Sequence, residues 1–237
     1  MTGTLINITT VLLGSALGIA FGARLPARVR QTVVAGLGLF TAAIGLQMFF
    51  ETQNALIVLG SLLIGSLLGE WWHIEENLAR LGGWLERHFT SPDPEAESSR
   101  FVRGFLTASI LFCVGPMTIL GSIQDGLTGD YSLLAIKAVL DGFASLAFAS
   151  TLGVGVAFSS LVILVYQGGL SLLAAQAQAL ISDPMMTEMT AVGGVLLVGI
   201  AISSLLEIKE IRVGNFLPAL ALAPLIVAVL AFWGINF

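Results

Sequence analysis

Residues 115–141 read GPMTILGSIQDGLTGDYSLLAIKAVLD and lie between two of the apolar runs that make up most of this chain. The stretch holds the end of one run, a short polar turn and the start of the next run. Hydrophobic residues make up 56% of the 237 positions and charged residues only 11%, so Lys137 and Asp141 stand out inside an apolar run. A charge near the centre of a bilayer costs at least about 2.5–3.5 kcal/mol on insertion scales and marks a functional site by default.

Apolar runs of about 20 residues recur along the whole chain, and each is long enough to cross a hydrocarbon core of roughly 30 Å. Because lipid offers the backbone no hydrogen-bond partner, such runs must be helical. The sequence therefore predicts an all-α integral membrane protein with about eight transmembrane helices. The predicted spans are residues 4–22, 32–50, 55–72, 102–123, 132–150, 158–180, 187–206 and 214–235. Residues 150–182 fit either one long helix or a re-entrant segment followed by a helix.

Basic residues are divided unevenly between the predicted loops. Nine of the ten lie in the loops after the first, third and seventh spans, whereas the loops after the second, fourth and sixth spans carry only acidic side chains. Cytoplasmic loops of membrane proteins are enriched in lysine and arginine. The pattern therefore predicts that the odd-numbered loops are cytoplasmic and that both termini lie outside.

Residues 74–89, IEENLARLGGWLERHF, carry apolar side chains at helical spacing with charged side chains between them. They predict one interfacial amphipathic helix on the cytoplasmic face. A short polar linker, SPDPEAESS at 91–99, follows it. The helix fits membrane anchoring, with docking of a partner protein as the alternative.

The chain also contains an internal similarity. Residues 5–26 align with residues 161–184, and residues 38–45 align with residues 194–201. Because the first span corresponds to the sixth, the two copies cross the membrane in opposite directions, as in many secondary transporters. Chance similarity between apolar helices rich in glycine and alanine is the alternative. The predicted organisation is a single transmembrane domain, 1–237, with repeat A at 4–72 (spans 1–3), the amphipathic helix and linker at 74–99, a central polar helix pair at 102–150 and repeat B at 158–235 (spans 6–8).

Lys137 and Asp141 are the first candidates for a substrate or ion site. Their spacing of four residues places them on one helix face, where they can pair. Counted from Tyr131 at ~1.5 Å per residue, Asp141 lies ~15 Å into the span, close to the middle of the membrane. A carboxylate at that depth can carry a proton. The alternative is a buried pair that neutralises itself and fixes the orientation of its helix.

Other polar residues and predicted helix breaks extend this candidate site. Proline disturbs the turn before it, so Gly115 and Pro116 predict a break that exposes backbone dipoles, with an ordinary kink as the alternative. Gly168 and Gly169 predict a second break. The further candidates for substrate or ion binding are Thr118, Ser122, Gln124, Asp125, Asp130, Tyr166 and Gln167. Asp125 and Asp130 fit a DGLTGD turn at the outer surface, where solvated loop acids are the default, and Asn7 and Gln47 add polar contacts between helices.

No catalytic or metal-binding motif is present, so we expect neither an enzyme nor a cofactor or metal. A net charge of −5 argues against nucleic acid binding, and the single cysteine, Cys113, allows no intrachain disulfide. The expected partners are the lipid bilayer and a small-molecule or ion substrate. Small residues at 14, 18 and 22, and at 61, 65 and 69, predict close helix packing, either within one subunit or in a homo-oligomer such as a homodimer.

The segment GPMTILGSIQDGLTGDYSLLAIKAVLDGFASLAFASTLGVGVAFS at 115–159 resembles the YqgA/YdfK type of bacterial membrane protein, a family with a domain of unknown function (DUF 554). TLINITTVLLGSALG at 4–18, YQGGLSLLA at 166–174 and IKEIRVGNFLPAL at 208–220 are similar to the same family. The resemblance implies a multi-pass protein of the bacterial plasma (inner) membrane and a role in transport, without a substrate. We therefore predict a secondary transporter of a small solute or ion, with proton coupling through Asp141. A passive channel, and a non-transporting scaffold or sensor that acts through residues 74–89, are the alternatives.

Overall fold

This computed structural model describes residues 1–22, 26–89, 95–114, 116–176 and 181–233. In these ranges the chain forms helices and no strand, as expected where backbone groups must bond within their own segment. The α-helices are α1 (Thr2–Gly22), α2 (Ala27–Phe49), α3 (Ala55–Trp71), α4 (Ile74–Phe89), α5 (Glu95–Val114), α6 (Pro116–Thr128), α7 (Ser132–Leu152), α8 (Gly155–Leu172), α9 (Asp183–Ile200) and α10 (Pro218–Phe232). A π-helix, Ala201–Leu205, continues α9, and a 3-10 helix, Val213–Phe216, precedes α10.

The number of spans agrees with the hydropathy pattern. Six of the described helical segments are long and apolar enough to cross a membrane, or up to eight if each of two bent pairs forms one span. The bent pairs are α3 with α4, and α5 with α6, where the angle is 62°. The predicted all-α membrane fold is therefore confirmed. Pro116 opens α6, where a proline is tolerated because the first N–H of a helix has no partner within it, and Gly115 lies outside the described residues.

Contacts divide the chain into two compact units. Unit 1 comprises Met1–Leu37 and Ala79–Gln178, and unit 2 comprises Gly38–Leu78 and Ala179–Phe237. The described parts of α1, α5, α6, α7 and α8 belong to unit 1, whereas α3, α9 and α10 belong to unit 2.

Glycine permits the closest helix packing in unit 1. Gly14, Gly18 and Gly22 of α1 face the carbonyl oxygens of α7 so closely that a Cβ atom at any of them would overlap an oxygen. The facing carbonyls belong to Gly142, Leu146 and Ser150. Residue numbers rise together along both helices, so α1 and α7 are parallel. This glycine face therefore joins two helices of one subunit and gives no argument for an oligomer.

A short turn joins α7 to α8. Gly153 ends α7 with a φ of 81°, a left-handed conformation that glycine adopts without strain. After this turn, helix α8 runs without interruption from Gly155 to Leu172. The predicted break at Gly168 and Gly169 is wrong, because both residues keep their backbone donors and glycine is common within transmembrane helices.

The amphipathic helix α4 contributes to the core of unit 1. Leu85 is buried against Phe101 and Phe105 of α5. The ring of Phe101 packs on that of Phe158 at a centroid distance of 5.3 Å. Helix α5 begins at Glu95, so the last part of the stretch predicted as a linker is helical.

Unit 2 is built from antiparallel pairs. Gly45 of α2 contacts Gly194 of α9. Gly38 of α2 contacts Leu206, which directly follows the π-helix that continues α9. Likewise, Gly65 of α3 meets Ala219 of α10, and Gly69 meets the backbone of Asn215. Here too the small-residue face of α3 packs within one subunit.

Candidate functional site

The ion pair predicted from the sequence is present and buried. The Lys137 ammonium contacts Oδ2 of Asp141 one turn away on α7. Lys137 is 5% exposed and Asp141 8% exposed. Asp141 lies near the middle of α7, which spans Ser132–Leu152. Two opposite charges are therefore held against each other at the centre of a helix long enough to cross the membrane.

Helices α1 and α8 add amide groups to this pair. Nδ2 of Asn7 donates to Oδ2 of Asp141 at 3.0 Å and to Oε1 of Gln167, also at 3.0 Å. Nε2 of Gln167 donates to the hydroxyl of Thr4 at 3.2 Å. Asn7, Gln167 and Thr4 are each fully buried. We call Thr4, Asn7, Lys137, Asp141 and Gln167 the polar cluster.

The packing of unit 1 explains why these residues meet. The glycine face of α1 holds that helix against α7 and brings Asn7 level with Asp141. Asp141 lies 11 residues before the end of α7 (152 − 141), and Gln167 lies 12 residues after the start of α8 (167 − 155). The tight turn between these helices therefore returns Gln167 to the depth of Asp141.

One atom of the polar cluster lacks a partner. Oδ1 of Asn7 is buried and accepts no hydrogen bond. An unsatisfied buried acceptor costs about 1–3 kcal/mol, and native proteins rarely keep one without a reason. The cluster therefore has an acceptor ready for a donor or a cation.

The bend between α5 and α6 lies close to the cluster. The Lys137 Nζ atom is 5.9 Å from the centre of the Phe112 ring, near the end of α5. The Thr118 hydroxyl of α6 donates to the Phe112 carbonyl at 3.0 Å and so bridges the two helices. Ser122 donates to the Thr118 carbonyl. Thr118 and Ser122, both predicted as site residues, are buried, and their hydroxyl protons bond to backbone carbonyls.

Asp125 is not a loop acid. It lies within α6, is 4% exposed and accepts from the Gly3 amide at 3.1 Å. The Met1 amino group is 2.8 Å from the same carboxylate oxygen. A carboxylate is stabilised at the positive end of a helix dipole. The expectation of a solvated turn at Asp125 is therefore wrong, and its role is to hold the start of α1.

Asp130 and Gln124 form a separate, exposed group. Nε2 of Gln124 donates to Asp130 at 2.8 Å. Asp130 also accepts from the Ser132 hydroxyl at 2.6 Å and the Ser132 amide at 3.0 Å, at the start of α7. These bonds from Ser132 hold the pKa of Asp130 below its ordinary value. The structure thus places both residues outside the polar cluster.

Tyr166 is next to Gln167 in sequence but belongs to a different environment. Its side chain is 37% exposed and borders an apolar cavity of about 670 Å³. Leu81 and Leu85 of α4 and Phe105 of α5 line the same cavity. Tyr166 is therefore not brought into the polar cluster.

Unit 2 contains a buried acid, Glu188, which the charge pattern counted with the acidic loop after the sixth span although it also falls at the start of the predicted span 187–206. Glu188 of α9 is 1% exposed. It accepts from the Thr52 hydroxyl at 2.6 Å and from the Gln53 and Asn54 amides at 2.9 and 3.1 Å, just before α3 begins. Its carboxylate thus satisfies backbone donors ahead of a helix N-terminus. No local sequence signal distinguishes this arrangement from a solvated loop acid.

No group of three or more His, Cys, Asp or Glu side chains that could hold a metal ion occurs in the described ranges.

The model for the family described as "Protein of unknown function (DUF554)" matches residues 2–228. The chain belongs to the DUF554 family. All five residues of the polar cluster lie within the matched range.

Two curated relatives match over nearly their whole length. The chain is 30% identical to "Uncharacterized membrane protein YdfK" of Bacillus subtilis (strain 168), over 100% of both chains. It is 32% identical to "Uncharacterized protein YqgA" of Escherichia coli (strain K12), over 98% of both chains. No solved structure matches the chain. The DUF554 relatives therefore establish a membrane protein family and name no substrate.

The polar cluster combines a compensated pair of charges with neutral hydrogen-bonding groups. It combines one carboxylate, one ammonium, two amides and a hydroxyl, supplied by three helices. The ammonium compensates the carboxylate, which otherwise would be a single charge within the membrane. Any group that replaces the ammonium must bring a positive charge or leave a proton on the carboxylate. The net charge of the cluster therefore depends on the cations and protons that it holds.

Proposed function

We propose that this DUF554 protein is a secondary transporter of a small solute or ion in the bacterial inner membrane, and not an enzyme. The observation that carries the proposal is the buried polar cluster around Asp141, with an unsatisfied acceptor on Asn7. Ionisable residues inside transmembrane helices are rare, and they mark ion, proton and substrate paths. The proton that couples transport is exchanged at the pair formed by Lys137 and Asp141.

The pairing of helices supports an inverted repeat. Repeat A contains α1, α2 and α3, and its predicted counterparts in repeat B are α8, α9 and α10. Each helix contacts its own counterpart: α1 meets α8 through Asn7 and Gln167 within unit 1, and the other two pairs meet within unit 2. All three pairs are antiparallel, as copies of opposite topology require. The cluster then lies where the first helices of both copies meet, which is where such transporters keep their sites.

The orientation follows from the loop charges. The basic residues at or just before the start of α2 and those between α9 and α10 belong on the cytoplasmic side by the positive-inside rule; they are Arg24, Arg28, Arg30, Lys209 and Arg212. Both termini then lie outside, and Lys137 is nearer to the outer surface than Asp141. A ligand from outside therefore meets the ammonium before it meets the carboxylate.

A scaffold or sensor role is the second candidate, and one observation favours it. Leu81 and Trp84 of the amphipathic helix α4 are 46% and 47% exposed, and these side chains can meet lipid or a partner protein. In that case the buried pair on α7 is structural. A passive channel is the remaining alternative within transport.

Flux in proteoliposomes tests the proposal. Purified full-length protein is reconstituted with a trapped pH indicator, and inorganic ions, amino acids and small organic acids are added outside one at a time. We expect at least one compound to move protons with saturation, and Asp141→Asn to abolish the signal. Glu51 is an exposed acid, so Glu51→Gln is the matched control and should behave as wild type.

Three outcomes would contradict this proposal in different ways. Full flux in the double variant Lys137→Ala/Asp141→Asn would show that the site is elsewhere. Flux without saturation or counter-exchange would indicate a channel. The absence of flux for every compound, with loss of the cellular role when the exposed apolar residues of α4 are made polar, would indicate a scaffold.

A further inference from the structure

We infer that the ligand exchanged at the polar cluster is a small ammonium cation, either ammonium itself or a primary amine with a short alkyl group, which takes the place of the Lys137 ammonium on Asp141. This inference rests on the proposed function, because it names the cargo of that site. The reasons are the group already bound to the carboxylate, the acceptors around it and the charge that must be balanced.

The cluster already binds an ammonium group. The Lys137 Nζ atom donates to Oδ2 of Asp141 and is 5.9 Å from the centre of the Phe112 ring. A carboxylate and an aromatic face are two of the groups that recognise ammonium ions in proteins. The alkyl chain of Lys137 therefore presents, in tethered form, the chemistry that a free ammonium ligand would bring.

The polar cluster contains more hydrogen-bond acceptors than the Lys137 ammonium uses. Oδ1 of Asn7 is buried and unpartnered. Oδ2 of Asp141 and Oε1 of Gln167 lie within 6.0 Å of each other, since each is 3.0 Å from the same Nδ2 atom of Asn7 (3.0 + 3.0). A free ammonium ion has four N–H donors and a methylammonium ion has three. After the Asn7 amide reorients, either ion can donate hydrogen bonds to several of these oxygens at the same time.

Charge limits the ligand to a single positive charge. Lys137 is the cation that contacts Asp141 in the described chain, and one monovalent cation replaces it without changing the net charge of the cluster. A divalent cation would leave an excess positive charge inside the membrane, which is costly. The full burial of Asn7, Gln167 and Thr4 restricts the ligand to about the size of the group that it replaces.

The exchange conserves charge and protons. The Lys137 ammonium loses one proton to water and becomes a neutral amine, while the arriving ammonium ion binds the Asp141 carboxylate. The neutral amine no longer needs the carboxylate, and its lone pair can accept a hydrogen bond from the arriving ligand. One cation enters the site for each proton that leaves, so exchange of the two across the membrane is electroneutral.

The neighbouring helices supply few other titratable groups. Cys113 of α5 is within electrostatic reach of Lys137 and Asp141, and Tyr166 of α8 is within reach of Cys113. Asp125 of α6 is bound to Met1 and Gly3. Helix α1 carries no ionisable side chain. The proton released on binding is therefore assigned to Lys137.

Proton release on ligand binding tests the inference. Methylammonium chloride is added to purified full-length protein in detergent under weak buffering, and released protons and the thermal unfolding midpoint are measured from pH 7 to pH 9. We expect one proton released for each methylammonium bound. Because one proton competes with one cation, the apparent Kd should fall about tenfold for each unit of rising pH. Potassium chloride and tetramethylammonium chloride at equal concentration should have at least tenfold weaker effects.

Two variants separate the inference from general salt effects. Asp141→Asn should abolish both binding and proton release. Lys137→Arg keeps the charge balance, and the guanidinium does not deprotonate in proteins, so this variant should fold and yet neither bind methylammonium nor release a proton. Glu51→Gln should behave as wild type, because Glu51 is an exposed acid outside the polar cluster.

Each contrary result would overturn a different part of the inference. Wild-type binding in Lys137→Arg would show that the ammonium of Lys137 is not displaced. Equal responses to potassium and methylammonium would exclude the ammonium class. A wild-type protein that does not respond to methylammonium or ammonium overturns the inference, and if it still shows Asp141-dependent flux of another solute, the proposed transport stands. If the wild-type protein shows neither a response to these ammonium ions nor Asp141-dependent flux of another solute, the inference and the proposed function are both overturned.

Discussion

Asp141 in unit 1 and Glu188 in unit 2 are both buried carboxylates on helices long enough to span a membrane, but their partners differ. Glu188 accepts from a hydroxyl and two backbone amides at the start of α3, and none of these donors can leave or change its charge. Asp141 accepts from a lysine and an asparagine side chain, beside an unsatisfied amide oxygen. Under the proposed function, Glu188 is a structural acid with fixed donors, whereas the side-chain partners of Asp141 can be exchanged.

Asp125 belongs with Glu188 in this comparison. It too is buried and accepts from the first residues of a helix, here α1. Both acids connect a helix N-terminus to a distant helix and so fix the packing of their own unit. Burial of an acid in this fold therefore does not by itself indicate function, and the proposal for Asp141 depends on the nature of its donors.

The largest expected effect is on stability when Lys137 is removed. Lys137→Ala leaves an uncompensated carboxylate in the middle of α7, and such a loss costs about 3–5 kcal/mol. The double variant Lys137→Ala/Asp141→Asn removes both charges and should recover most of that stability. Thermal unfolding in detergent at pH 7 measures both. Equal destabilisation of the single and double variants would show that the two charges do not depend on each other.

The next effect concerns the contact that places Asn7 beside Asp141. In Gly14→Ala the new methyl group would overlap the carbonyl of Gly142, the neighbour of Asp141, and force α1 away from α7. We expect a loss of about 1–3 kcal/mol and a greater than tenfold loss of flux. Gly36→Ala is the matched control, because a Cβ at Gly36 of α2 meets no atom within 4 Å. Unchanged flux in Gly14→Ala would show that the α1 contact does not position the site.

A smaller effect is expected at the bend between α5 and α6. Thr118→Val removes the hydroxyl that bonds the Phe112 carbonyl across the bend and should cost about 1 kcal/mol. Thr107→Val on α5 is the control, since the Thr107 hydroxyl is buried without a partner and its loss should be neutral or stabilising. Thermal unfolding of the pair measures the difference. Equal midpoints would mean that the bond to Phe112 does not hold the bend.

The smallest effect is expected at the exposed Asp130. The Ser132 bonds lower the pKa of Asp130 in the folded protein, so the folded state favours the charged form. The resulting stabilisation is present above the ordinary pKa of 3.8 and is lost as the pH falls through the folded pKa. Thermal unfolding of wild type between pH 6 and pH 2.5 should therefore fall more steeply than that of Asp130→Asn. Parallel curves would contradict the assignment.

The sequence predicts those parts of this fold that depend on local pattern. Hydropathy gives the helices, and the spacing of Lys137 and Asp141 gives their contact, because both follow from helix geometry alone. Asn7 and Gln167 reach the pair only through the packing of α1 and α8 on α7, which no local pattern contains.

The errors have physical causes of the same kind. Asp125 and Glu188 resemble loop acids in sequence, because each lies near the end of an apolar run and its helix-start partner is distant along the chain. Gly168 and Gly169 resemble a helix break, although glycine in a packed transmembrane helix keeps every backbone bond. In each case tertiary contacts decide between two structures that the local sequence allows.

The most direct test of a functional role for Asp141 compares Asp141→Asn with Glu188→Gln in one assay. Both replace a buried carboxylate by an amide of nearly equal size, and proton-coupled flux per folded molecule and thermal unfolding are measured for each. We expect at least a hundredfold loss of flux per folded molecule for Asp141→Asn, which also loses stability because the Lys137 ammonium is left without its counter-charge. For Glu188→Gln we expect a clear loss of stability with near wild-type flux per folded molecule. Retained flux in Asp141→Asn, or loss of flux in folded Glu188→Gln, would contradict that role.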